Sequence, residues 1–246
     1  MRDSVREGGL RTLTFAVLLA AIWLAGHPYF GIDHDGPFYA AEALRWLDPG
    51  FLDDDILFAH GFQGRFTVFP ALYGSLAAAL GLEGATFTLY VLGQALWLIG
   101  ALALIGVMVA APSARWILLL ALAALPGEYG ANRIFAYAEP YATPRLFAEA
   151  MVLLGLALLL GRRRLLAGLA LAAALVLHPL VAWPGAGVAL LFEASRPGRV
   201  RWRWWLAVAA AGTLPIVLAL AGVAPFSRLF EVMDEAWYAV VEHRDA

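Results

Sequence analysis

Phe87–Ala111, FTLYVLGQALWLIGALALIGVMVAA, runs for 25 positions without a charged residue. That is more than the ~20 apolar residues a helix needs to cross a bilayer. Leu146–Leu160, broken by Glu149, and Trp204–Val223 approach that length. Across the 246 residues the hydrophobic share is 62% and the charged share 15%, against roughly 45–50% and about 25% in ordinary soluble domains. In lipid every backbone polar group must be satisfied internally, so only helices or closed barrels can span. These runs are rich in Leu and Ala and lack a two-residue alternation, which selects helices.

Charge placement orients the chain. All 17 basic residues are Arg, and the chain has no Cys, which removes disulfides, thiolate nucleophiles and cysteine metal sites. Arg2, Arg6 and Arg11 precede the first apolar run, Arg162–Arg164 form a triplet, and Arg196, Arg199, Arg201 and Arg203 form a second cluster. The positive-inside rule makes these places cytoplasmic. They read as loop anchors, not as a nucleic-acid surface. Asp33, Asp35, Glu42, Asp48 and Asp53–Asp55 lie between the first two apolar regions, and Glu231, Asp234, Glu235, Glu242 and Asp245 close the chain. Both acidic segments read as external.

The expected layout follows. A first span at about Leu10–Gly26 leaves the cytoplasm; a cleaved signal peptide is the alternative. Residues 27–84 form an external region that holds a short amphipathic helix at Pro37–Leu47, opened by its proline. Spans follow at about 85–111, 116–126 and 145–161, then a hairpin of Leu165–Val176 and Val181–Phe192, then about 204–223. Counting back from the Arg triplet leaves 66–82 beginning and ending outside, so it lies on the outer leaflet; otherwise 66–82 crosses and another short segment does not. The expected fold is all-α and polytopic, a single module over 1–246 of about seven transmembrane helices. Two juxtamembrane helices occupy its first external loop, and 226–246 is an external amphipathic tail.

Ile32-Asp33-His34-Asp35-Gly36-Pro37-Phe38-Tyr39-Ala40, together with that layout, resembles the membrane module of the GT-C glycosyltransferases. That superfamily includes protein O-mannosyltransferases, aminoarabinose transferases and oligosaccharyltransferases. Its seven-helix module carries two juxtamembrane helices in the first external loop and an acidic motif just after span one. The resemblance implies sugar transfer from a polyprenyl-phosphate donor, with Asp35 at the catalytic position and Tyr39 at the aromatic one. The family's common Asp-Glu form is replaced here by Asp35-Gly36, so Asp33 is the second candidate. Family members usually continue into further spans or a soluble domain; this chain reads as a minimal or clipped module.

The residues support such chemistry directly. A carboxylate at the membrane boundary can take the acceptor's proton, and Asp35 and Asp33 are placed for it. The structural alternative is that Asp35 caps the short helix. A departing phosphate needs positive charge, and Arg133 and Arg145 flank the external loop ANRIFAYAEPYATPR. A guanidinium binds phosphate bidentately; an i,i+4 pair with Glu149 or snorkelling to headgroups would occupy Arg145 instead. His178, beside Pro179 at the hairpin apex, either binds phosphate or sugar or is satisfied between helices. Glu139 is a possible second carboxylate. Tyr129, Tyr137 and Tyr141 are expected as interface residues whatever the function.

No cofactor is required by this reading. A Mg²⁺ or Mn²⁺ held by Asp33, His34, Asp35 and His60 is the alternative, hard oxygen ligands favouring those ions. GxxxxGK[ST], GxGxxG and HExxH are absent, which speaks against nucleotide sites and a zincin. The partners implied are a polyprenyl-phosphate-linked sugar and membrane lipid. Style of composition suggests a bacterial inner membrane, with the N-terminus cytoplasmic. A transporter or flippase and a non-catalytic scaffold are the rival classes.

Overall fold

The computed structural model describes residues 2–59, 63–124, 127–129 and 135–195, with 206, 213, 216–223, 235, 238 and 239. Arg133, His60 and most of the tail at 226–246 lie outside the described residues. The chain divides into two compact units, Met1–Gly185 and Ala186–Ala246. Helices dominate the first: α1 (Arg2–Gly26), α2 (Gly36–Leu47), α3 (Ile56–Ala59), α4 (Phe69–Met108), α5 (Pro112–Ala124), α6 (Pro144–Leu160), α7 (Arg164–Leu177) and the start of α8 (Pro179–Ser195). Among the described residues a two-residue antiparallel ladder also forms, Glu128–Tyr129 against Phe135–Ala136. The second unit holds the rest of α8 and a helical run over 216–220.

Proline sets many of the starts. Pro37, Pro70 and Pro144 stand in the first positions of α2, α4 and α6, where the missing N–H costs nothing and φ is already helical. α4 is two helical pieces joined through Gly81, whose φ of 73° is left-handed; a side chain there would be strained. The sequence-based boundary between 66–82 and 85–111 falls at this break.

The interior is built from small residues. Along α4, Gly93 receives the side chain of Leu146 from α6. A Cβ placed on Gly100 would sit 2.8 Å from the carbonyl oxygen of Ala150. Ala148, Ala174 and Ala182 form a further contact layer between α6, α7 and α8. On the outside the order is inverted: Leu165 is 78% exposed and Leu180 80%. Small residues thus line the helix contacts, letting the backbones approach closely, while large apolar side chains face outward.

Among the described residues one helix, α4, is long and apolar enough to cross a bilayer, and only 28% of its most apolar stretch is buried. α5, α6, α7 and α8 have 13, 17, 14 and 17 residues. At ~1.5 Å per residue they reach about 20–25 Å, short of a ~30 Å hydrocarbon core.

The stretch from α2 to the start of α4 is tied down at both ends. In α2, the backbone carbonyl of Ala43 and the ring of Trp46 close on Gly74 of the first piece of α4. Farther on, the Thr67 hydroxyl donates to the Leu177 carbonyl and the Val68 N–H to Val176 at 3.1 Å. Tyr39, Phe69 and Tyr73 form the aromatic core beneath it.

Candidate functional site

Arg145 enters at the first turn of α6, placed by Thr143-Pro144: the Thr143 hydroxyl accepts from the Arg145 N–H at 3.3 Å, an N-cap followed by proline. A cation at a helix N-terminus faces the positive end of the macrodipole. Here two carboxylates offset that cost. Arg145 Nε donates to Glu139 Oε2 at 2.9 Å, and Nη2 lies 2.9 Å from Glu139 Oε1. Nη2 also donates to Asp35 Oδ2 at 2.7 Å and to the Tyr141 hydroxyl at 2.8 Å. One guanidinium thus gathers Asp35 from the region before α2 and Glu139 and Tyr141 from the loop before α6.

Asp35 does not serve α2 as a side-chain cap: its backbone takes the cap position and its carboxylate makes no capping bond. The free oxygen, Oδ1, lies 3.3 Å from His34 Nδ1. That same nitrogen is 3.2 Å from the Tyr141 hydroxyl, and the two rings stack at 5.4 Å between centroids. Tyr39 is buried, with Arg145 6.0 Å above its ring. Burial, offset in part by the Arg145 charge, raises the Tyr39 hydroxyl above its ordinary range. Burial likewise raises the Tyr141 hydroxyl, and the Glu139 charge adds to the effect. Both phenols are therefore neutral at physiological pH.

His178 is buried at the α7–α8 junction. Its Nδ1 accepts the Val181 N–H at 3.3 Å, which assigns the proton of the neutral ring to Nε2. Burial, reinforced by the nearby Arg145 charge, holds its pKa down to about 4. It is a neutral donor whose ring feels the Arg145 charge.

The expected Arg145–Glu149 pair does not form the site. Glu149 Oε2 instead accepts from Trp97 Nε1 at 2.9 Å and from the Ala138 N–H at 3.0 Å. Gln94 donates to the Ala138 and Glu139 carbonyls at 3.0 and 2.8 Å and accepts from Trp23 at 2.7 Å. These bonds pin the turn at Ala138, whose φ is 51°, and so aim Glu139 at Arg145. Nothing in the local sequence pointed to Gln94 or Glu149 as supports, whereas the Thr-Pro cap that sets Arg145 was readable.

Asp33 is exposed and stands apart from the cluster, its backbone carbonyl accepting from Gly36 at 2.8 Å. Among the described residues no group of three or more His, Cys, Asp or Glu is placed to hold a metal ion; the carboxylates of Asp35 and Glu139 are taken by Arg145. The structure thus brings together Asp35, Glu139, Arg145, Tyr39, Tyr141 and His34, while His178 is linked to them through the charge of Arg145. No protein-family model, curated protein or solved structure matches the chain.

Proposed function

We propose that the chain is an integral-membrane glycosyltransferase that moves a sugar from a polyprenyl-phosphate donor to an acceptor on the external face. The observation that carries this reading is the Arg145 cluster. It joins a carboxylate from the first external region to a guanidinium and a second carboxylate at the mouth of α6. Such a site holds both parts that the reaction needs, a cation for the departing phosphate and anionic groups around the acceptor. The layout of about seven spans and two juxtamembrane helices rests on the charge map and on the outward-facing leucines.

Transfer starts when the donor phosphate takes an edge of Arg145, with the His178 Nε2–H as a second donor. A charge-assisted pair of this kind is roughly twice as strong as a neutral hydrogen bond. One observation favours a transport module instead: Glu149 is an ionisable group inside α6, and such residues often mark transport paths. Its carboxylate is committed to the Trp97 indole and the Ala138 backbone, a fixed support more than a relay.

The test is thermal unfolding of the purified protein in detergent with undecaprenyl phosphate, against undecaprenol, which has the same tail and no phosphate. Stabilisation grows as RT ln(1 + [L]/Kd), about 2.7 kcal/mol at a hundredfold excess over Kd. The phosphate should raise the midpoint, undecaprenol should not, and His178→Ala should weaken the effect. Equal shifts from the two lipids would rule out a phosphate pocket.

A further inference from the structure

A transfer to an acceptor hydroxyl or amine needs a group with a free lone pair, reachable from outside, beside Arg145. The carboxylates are poorly placed for that. Glu139 is 4% exposed at its side chain and spends both oxygens on Arg145. Asp35 spends Oδ2 on Arg145 and faces His34 with Oδ1. His178 is buried and uses Nδ1 on the α8 backbone.

His34 differs on each count. Its side chain is 57% exposed. Its Nδ1 lies between Asp35 Oδ1 and the Tyr141 hydroxyl, and that hydroxyl already accepts from Arg145. With the ring proton assigned to Nδ1, facing the Asp35 carboxylate, the Nε2 lone pair is free. The ring is fixed by stacking on Tyr141, and its backbone sits at φ 54°, a conformation seldom taken by non-glycine residues and often kept where function demands it. A base whose far nitrogen is oriented by a third group is a recurrent arrangement in proton transfer.

We infer that His34 is the general base of the proposed transfer, with Asp35 and Tyr141 as the positioning residues that hold its ring. This rests on the donor reading given above. The acceptor O–H or N–H gives its proton to His34 Nε2 as its oxygen or nitrogen bonds to the sugar's anomeric carbon. The anomeric C–O bond to phosphate breaks, and its electron pair leaves on the phosphate held at Arg145. The proton then passes from Nε2 to water.

The experiment follows consumption of radiolabelled undecaprenyl-phosphate sugars (mannose, glucose, galactose and aminoarabinose) in membranes carrying the full chain, against membranes without it. Any acceptor present, water included, then registers as donor loss. Removing a general base lowers rates by about 10²–10⁴-fold, so His34→Ala should consume donor at least ~100-fold more slowly. Added imidazole should restore part of the rate, because the truncated side chain was exposed. His34→Gln should stay slow, with the thermal midpoints of both variants near wild type. Full activity in His34→Ala overturns the inference alone. A slow His34→Ala that imidazole does not help, beside an active His34→Gln, also overturns it, since the ring would then be a spacer. Wild-type membranes that consume none of the donors overturn the donor reading and this inference with it.

Discussion

Arg145→Ala is expected to destabilise the protein by about 3 kcal/mol or more, the largest loss for any single truncation at the site. Removing one partner of a buried ion pair leaves the other charge uncompensated, a cost of about 3–5 kcal/mol. Glu139 bears it, because its side chain is almost fully enclosed and both of its oxygens face the guanidinium. Asp35 is only half-buried and can recover hydration. The two carboxylates therefore differ: adding Glu139→Gln to Arg145→Ala should restore most of the loss, and adding Asp35→Asn should restore little. Denaturant unfolding of the four proteins in one detergent measures this. Equal rescue by the two partners would show that Glu139 is not the group left stranded.

The second large effect lies at Glu42, on the buried face of α2. Its Oε1 accepts the Gly64 N–H at 3.2 Å, and Oε2 has no partner among the described residues. Burial raises its pKa from 4.5 to about 7, with the Gly64 bond opposing. A raised carboxyl means that the folded protein favours the neutral form. The contribution is complete below about pH 4.5, shrinks as the unfolded chain ionises first, and is gone above about pH 7. The amount lost is about 3 kcal/mol at 1.36 kcal/mol per pKa unit. Glu42→Gln cannot ionise and keeps the acceptor for Gly64. It should match wild type near pH 4.5 and be more stable by about 2–3 kcal/mol at pH 8. Parallel stability curves across that range would mean that Glu42 is solvated or paired.

The helical character and several boundaries were legible because they depend on local pattern. The amphipathic helix expected at Pro37–Leu47 is found at Gly36–Leu47, its start marked by proline. The split of the long apolar region before Glu83 appears as a left-handed Gly81. The Arg162–Arg164 triplet sits at the α6–α7 turn, with Arg162 itself at φ 63°. Helix lengths were legible too: the four helices after α4 are as long as, or longer than, the apolar segments read from the sequence.

The site was legible residue by residue but not as a constellation. Asp35 and Arg145 are 110 positions apart, and no periodicity links them. Local rules offered each a nearby partner, the α2 N-terminus for Asp35 and Glu149 for Arg145. Tertiary packing overrode both. The Ala138 turn presents an N–H to Glu149, which frees Arg145 to reach Glu139 and Asp35. His34 and Tyr141 looked like a possible ligand and an interface aromatic; only their contact with Asp35 and Arg145 gives them a shared task.

The central claim is a membrane chain whose Arg145 cluster opens on the external face. Since the chain contains no cysteine, single-cysteine variants report topology without background. Asp54→Cys lies in the exposed stretch between α2 and α3, and Arg163→Cys at the α6–α7 turn. A membrane-impermeant maleimide applied to intact spheroplasts should label Asp54→Cys and reach Arg163→Cys only after permeabilisation. Labelling of Arg163→Cys with Asp54→Cys protected, or of both before permeabilisation, would contradict the account.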